Sequence, residues 1–220
     1  MRNFSGVIFD MDGLLLDSER IALETFSAAC EQLQLGDRTA LFHRCIGTNQ
    51  QGTEMILAKG FAGRVQMTEF NAVWEQLHRA RLTSAPIPLK TGAVELLQAI
   101  KALGLPLAVA TSTPTERACE KLQNAGLLSY FQWIVGGDRV QRSKPEPDIY
   151  LLAARLLNIA PETALALEDS ENGVLAALAA GMTVVQVPDL VQPSAEFRQQ
   201  GHWVLASLLD VAEHQFDSAR

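Results

Sequence analysis

Two aspartates separated by a single residue close the stretch GVIFDMDG, residues 6 to 13, where three apolar residues, Val7 to Phe9, run straight into Asp10. In an extended chain positions i and i+2 face the same side, roughly 6 to 7 Å apart at about 3.3 Å per residue. The carboxylates of Asp10 and Asp12 therefore repel one another, and beside a core they are poorly solvated as well. A positive charge is required near them. Other polar residues follow apolar runs in the same manner: Thr111 and Ser112 after LAVA, and Glu168 and Asp169 around the end of ALAL, while Lys144 lies in the loop SKPEP. The carboxylates suit a hard divalent cation, and Mg²⁺ usually takes one or two of them with waters and a substrate phosphate. An ammonium, a hydroxyl and backbone N–H groups at a helix start hold phosphate oxygens. These parts together describe a phosphoryl-transfer site.

Such residues meet only if the chain brings the ends of several strands to one edge. The second half repeats one unit, a short apolar run that ends in a polar residue and is followed by an amphipathic segment, which predicts βα alternation and a mostly parallel sheet. LPLAVATSTPTERACEKLQNAGL reads as a strand through Ala110 and a helix from about Thr115 to Gly126, FQWIV as a strand, and PDIYLLAARLLNIAP as a helix. ALALEDSENGVLAALAAGMTVVQVPD then gives strand, acidic loop, helix, Gly181 and strand. In an open parallel sheet ligands collect beyond the carboxyl ends of the strands, where strand order reverses. Residues 18 to about 85 break the alternation: helical spacing recurs at Ala22, Phe26, Ala29, Cys30 and Leu33, and again at Phe70, Val73, Trp74 and Leu77, with no strand signal between. The prediction is an α/β core in two parts, residues 1–16 and 86–220, with a helical insert over 17–85.

Composition narrows the function. A chain of 220 residues, 48% hydrophobic, buries a full core. A net charge of -7 argues against nucleic acid or an anionic membrane surface as partner, since both demand clustered Lys and Arg. The three cysteines, Cys30, Cys45 and Cys119, form no CxxC pair, so neither a zinc site nor a disulfide framework is indicated, and a reducing cytoplasm fits. No run approaches the ~18 apolar residues of a membrane helix, and no signal segment is read. A monomer or small homo-oligomer is expected.

FDMDGLLLDSE, AVATS, KPEPDIY and ALEDSENGVLAALAAGM, in that order and with a helical insert after the first, resemble the four motifs of the haloacid dehalogenase superfamily. The resemblance is to its capped phosphatases, the branch that includes β-phosphoglucomutase, and in wording to sugar-phosphate and pseudouridine 5′-phosphatases. It implies a Rossmann-like parallel-sheet core and an α-helical cap. It implies further that Asp10 is the nucleophile and becomes an aspartyl-phosphate. Asp12 would act as general acid and then general base, with its backbone carbonyl on the metal. Thr111 would bond a phosphoryl oxygen, with backbone amides of Met11, Asp12 and Ser112 as further donors. Lys144 would neutralise the nucleophile and the phosphoryl group, and Asp169 would complete a Mg²⁺ shell of Asp10 and Asp12 with Glu168 near it. On this reading Mg²⁺ and Lys144 hold the paired aspartates together. The expected activity is Mg²⁺-dependent hydrolysis of small phosphomonoesters, sugar phosphates or nucleoside monophosphates. Gly47, Asn49 and Gln50, in GTNQQ, are expected in the cap loop that contacts substrate.

Plainer readings stand beside these. Asp17 in DSE reads as a helix cap. His43, His78, His202 and His214 show no HxxxH spacing and read as surface or satisfied polar residues. Trp74, Trp133 and Trp203 read as packing groups, and Arg79 and Arg81 as a solvated helix face. An EF-hand needs Gly at position six of its loop and Glu at twelve, which this chain lacks. Neither GxSxG nor GxxxxGKS occurs. A phospho-accepting receiver module carries its Lys-Pro near its end, whereas here a further acidic strand follows Lys144. A metal-free dehalogenase would not need Asp12 and Asp169. A β-phosphoglucomutase carries a His shortly after the first motif and an Arg in the cap loop; a gapless alignment puts Ala22 and Gln50 there, which favours hydrolysis over transfer to a sugar.

Overall fold

The computed structural model describes residues 4–216; the outermost ends of the two expected core segments, 1–3 and 217–220, lie outside the described residues. Six parallel strands run in the spatial order β3-β2-β1-β4-β5-β6, with β1 Gly6–Phe9, β2 Leu107–Ala110, β3 Trp133–Val135, β4 Ala164–Glu168, β5 Thr183–Gln186 and β6 Trp203–Val204. Strand order reverses between β1 and β4, the place where such a sheet opens a crevice beyond its carboxyl ends. Val7, Phe9, Leu107, Val109, Leu165 and Leu167 face one side, packed under α5 Ala93–Ala102, α6 Thr115–Asn124 and α9 Leu208–Val211. Ile8, Ala108, Ala110, Ala164 and Ala166 face the other, under α7 Asp148–Leu156 and α8 Glu171–Ala179. The alanines keep that face shallow, so the two helices approach closely.

Four helices stand between β1 and α5: α1 Ser18–Gln32, α2 Thr39–His43, α3 Gln50–Phe61 and α4 Met67–Ser84. They enclose a core of their own built on aromatics, with Phe26 at 5.2 Å from Phe42, 5.5 Å from Phe70 and 5.4 Å from Trp74, ring centre to ring centre. The helical spacing of the sequence marks α1 and α4; α2, a single turn, and α3, which carries Gly52 and Gly60, lack a clear apolar stripe. The chain leaves and re-enters the sheet domain along paired connections, where Asp17 N–H donates to Pro88 O at 2.8 Å and Lys90 N–H to Leu15 O at 2.9 Å.

Asp17 departs from expectation. It occupies the position before α1 but makes no capping hydrogen bond with its side chain. Its carboxylate is drawn to two cations, Arg20 at 3.1 Å and Lys90 at 3.6 Å, which outweigh the pull of the helix N–H groups. Gly126 and Gly181 follow α6 and α8 with φ of +71° and +82°, the left-handed geometry that stops a helix.

Candidate active site

The strand β1 ends at Phe9, and Asp10, 6% exposed, continues its ladder by donating its N–H to Leu167 O at 2.9 Å. A tight turn then carries Asp12 to the same edge: the N–H groups of Leu15 and Leu16 both return to Met11 O. Gly13 sits in that turn with φ +81°, and a Cβ there would strike Asp169 Oδ2. Only glycine meets both demands.

Beneath the edge lies Lys144. Its ammonium donates to Asp10 Oδ1 at 2.6 Å, Glu168 Oε1 at 2.6 Å and Ala110 O at 2.9 Å, which uses all three of its protons. Burial lowers its pKa, but the two carboxylates outweigh burial and hold it above the ordinary lysine value. Glu168, fully buried, accepts five hydrogen bonds: Lys144 and the Tyr150 hydroxyl on Oε1, and Asp169 N–H, Ser170 N–H and Ser170 Oγ on Oε2. Gly173 lets α8 come this close, since a Cβ there would overlap the Glu168 carboxyl group.

Asp12 is served by a different cation. Lys121 of α6 donates to its Oδ1 at 2.7 Å, Ser18 to the same oxygen at 2.6 Å, and Thr113 to Oδ2 at 2.7 Å. Burial raises the Asp12 pKa, but Lys121, Ser18 and Thr113 together take it below the usual carboxylate range. The expectation that Lys144 joins the two aspartates is therefore corrected: Lys144 joins Asp10 to Glu168, and Lys121 compensates Asp12. No sequence signal marks Lys121, which reaches the site from the second turn of an exposed helix. Tyr150 stood in the KPEPDIY motif, and Ser18 in DSE, without their roles being legible.

The same cluster could hold a metal ion. Carboxylate oxygens of Asp10, Glu168 and Asp169, all buried, lie within 4.8 Å of one another. Burial raises the pKa of Asp10, with Lys144 opposing and Glu168 adding to it. Asp169 is raised well above the ordinary value by burial and by the charges of Asp10, Glu168 and Glu19. Its carboxylate makes no hydrogen bond and no ion pair among the described residues, so the group that would balance it is a cation. An oxygen-only donor set of this kind fits Mg²⁺.

Above these carboxylates opens a cavity of 620 Å³ that Asp10, Asp12, Thr111, Ser112 and Asp169 line from the sheet side. The main-chain N–H groups of Met11, Asp12 and Ser112 make no hydrogen bond among the described residues, which leaves three donors beside Asp10 for an anion. The Met11 side chain itself is buried in the core, and Lys144 and Glu168 lie below the cavity rather than in its wall. Gly47, Asn49 and Gln50 line the opposite side, with Ala22, Trp74 and His78. Asn49 caps α3 by accepting from Gly52 N–H at 2.8 Å, and its Nδ2 donates to Ser143 Oγ at 2.6 Å, next to Lys144. Glu19 and Arg117 also line the cavity, and sequence reasoning did not single them out. Burial, aided by Asp12, raises Glu19 to about 8. His78 is satisfied by Thr25 at 3.2 Å, as is Trp74 Nε1 at 3.1 Å, while Arg79 and Arg81 pair with Glu75 and Glu24 outside the cavity.

A sequence profile of haloacid dehalogenase-like hydrolases matches residues 7–187. The chain belongs to that family. It is 35% identical over 178 residues to the phosphorylated carbohydrates phosphatase of Thermotoga maritima, covering 80% of this chain and 81% of the relative. It is 33% identical over 185 residues to hexitol phosphatase A of Escherichia coli, covering 83% and 82%. A hydrolase of the same family from Deinococcus radiodurans, solved with bound phosphate and sodium, superposes with a TM-score of 0.79 at 30% identity over 97% of each chain. The six-stranded parallel sheet is thus that of a haloacid dehalogenase-like hydrolase, and this protein is an enzyme of that class.

Proposed function

We propose that this hydrolase is a Mg²⁺-dependent phosphatase of small phosphorylated metabolites, sugar phosphates or nucleoside monophosphates, and that it works through a phosphoryl group carried on Asp10. The observation that carries the reading is Asp10 itself, with one oxygen held by Lys144 and, beside it, three N–H groups that have no partner among the described residues. Asp10 and Asp169 would hold the metal with their carboxylates and Asp12 with its main-chain carbonyl, while Glu168, already accepting five hydrogen bonds, stays behind them as the anchor of Lys144. Bound Mg²⁺ supplies charge stabilisation on the phosphoryl oxygens.

The free oxygen of Asp10 attacks phosphorus, and the ester oxygen departs with the electron pair of its P–O bond. The N–H groups of Met11, Asp12 and Ser112, with the Thr111 hydroxyl, hold the equatorial oxygens. Asp12 gives the departing alkoxide a proton and takes one from the water that then attacks the aspartyl-phosphate, releasing inorganic phosphate and restoring Asp10. Lys121 holds Asp12 ionised in the free enzyme, so its proton comes with the substrate, whose negative charge favours it. Lys121→Met removes that hold. The Asp12 pKa should then rise, and the alkaline limb of the pH–rate profile, where the general acid loses its proton, should move to higher pH; a limb that stays in place would contradict the assignment.

Residues 17–85 act as a cap over the sheet domain of 1–16 and 86–220, and Gly47, Asn49 and Gln50 meet the part of the substrate beyond the phosphate. Ala22 presents a methyl group to the cavity and offers no acid or base there, which favours water over a sugar as acceptor. No helix among the described residues is long and apolar enough to cross a membrane. The reading places the enzyme in the cytoplasm, as a monomer or small homo-oligomer, with neither nucleic acid nor membrane as partner. Phosphate release from a panel of phosphorylated sugars, alditols and nucleoside monophosphates tests it: release that needs Mg²⁺ and stops with excess chelator is expected, and no release from any panel member would overturn it.

A further inference from the structure

We infer that Gln186 and His202 form a positioning pair that fixes the main chain of Asp169 and so sets the affinity of the acidic cluster for its divalent cation; the inference rests on the phosphatase reading above. Gln186 is the last residue of β5, in register with Glu168 of β4. The ladder ends there, with Val187 N–H donating to Glu168 O at 2.7 Å. The carbonyl of Asp169 therefore lies beyond any main-chain donor, and the Gln186 side chain supplies one, its Nε2 donating to Asp169 O at 3.0 Å. Because a carbonyl only accepts, the orientation of this amide is decided by its partner. Gln186 Oε1 must then face His202 Nε2, 3.0 Å away, and receive its N–H.

Both side chains are buried, at 1% and 6% exposure, and the His202 ring packs against Phe197 at 5.3 Å. A glutamine in such a place is tolerated only with its polar ends satisfied. Here the two bonds run in series from the imidazole to the main chain of a metal-site residue. The N–H of Asp169 is held as well, by Glu168 Oε2 at 3.2 Å. With the peptide groups on both sides of its Cα pinned, the Asp169 carboxylate is held within 4.8 Å of carboxylate oxygens of Asp10 and Glu168. Partners of this outer kind change metal affinity about 10- to 100-fold when removed.

Mn²⁺ serves as the probe. Titrating the metal-free full chain and reading free Mn²⁺ by electron paramagnetic resonance measures affinity without substrate or turnover. Gln186→Leu should bind Mn²⁺ about tenfold more weakly, and His202→Phe, which keeps the ring packing and loses one bond, about threefold. His202→Gln, which restores an N–H donor, should return toward the wild-type value. At saturating Mg²⁺ the KM for a phosphomonoester should be unchanged. A purely structural role would lower the melting midpoint and leave the Mn²⁺ affinity alone, and that result in folded Gln186→Leu would overturn the inference. If Gln186→Leu does not fold, the two His202 variants decide by the same reading. Wild type that binds Mn²⁺ and releases phosphate while every variant matches it sinks the positioning pair only; wild type that binds no Mn²⁺ and releases no phosphate sinks the phosphatase reading with it.

Discussion

Lys144→Met should both destabilise the protein and abolish most of its turnover. Among the described residues its ammonium is the one cation in contact with both Asp10 and Glu168, and it lies 2% exposed in its side chain. Removing one member of a buried ionic cluster leaves uncompensated charge, which costs about 3–5 kcal/mol. The pH dependence has a defined sign. Lys144 has its pKa raised by folding, so its stabilisation is fully present below the unfolded lysine value and is lost only as pH rises through the still higher folded value. Wild-type stability should not vary on its account near neutrality. In Lys144→Met the buried Asp10 carboxylate loses the cation that opposes its protonation and must take up a proton to stay buried, so the deficit should widen from acidic to neutral pH. Urea unfolding of both proteins in chelator across that range measures it; a deficit independent of pH would contradict the role.

Asp10→Asn should behave in the opposite way. The side chain keeps its shape and loses its nucleophilic oxygen, and loss of a covalent nucleophile costs roughly 10⁴-fold in turnover or more. Stability should not fall with it. Burial raises the Asp10 pKa above its unfolded value, so the ionised carboxylate opposes folding, and increasingly so as pH climbs above the unfolded pKa. Lys144 keeps its contact with Glu168 at 2.6 Å when Asp10 becomes neutral. The melting midpoint of Asp10→Asn in chelator should therefore equal or exceed that of wild type, which separates lost chemistry from lost structure.

The sheet was legible in the sequence because its strands are continuous apolar runs punctuated by single polar residues, several of which line the cavity beyond the strand ends. Asp10, Thr111 and Asp169 arrive together at the β1–β4 crevice because each follows the carboxyl end of its strand. The less legible parts share a physical cause, contact made across long sequence separations by residues that look ordinary in place. Lys121 is 109 positions from Asp12 and reads as a solvated helix residue. Gln186 reads as an interruption of the run TVVQVP until its neighbour across the sheet is known. Asp17 reads as a cap because local sequence shows the helix and hides Lys90, which comes from the return connection. The short α2 and the glycine-bearing α3 take their stability from Phe26 and its aromatic neighbours rather than from stripes of their own.

The covalent step on Asp10 is the claim on which the mechanism turns, and it is open to direct observation. Wild-type enzyme mixed with Mg²⁺ and a hydrolysed substrate, quenched in acid within a turnover and weighed intact by mass spectrometry, should show a population heavier by one phosphoryl group, with the added mass mapping to the peptide that holds Asp10 and absent from Asp10→Asn. Turnover with no such species at any quench time, or Asp10→Asn that still releases phosphate at the wild-type rate, would contradict the account.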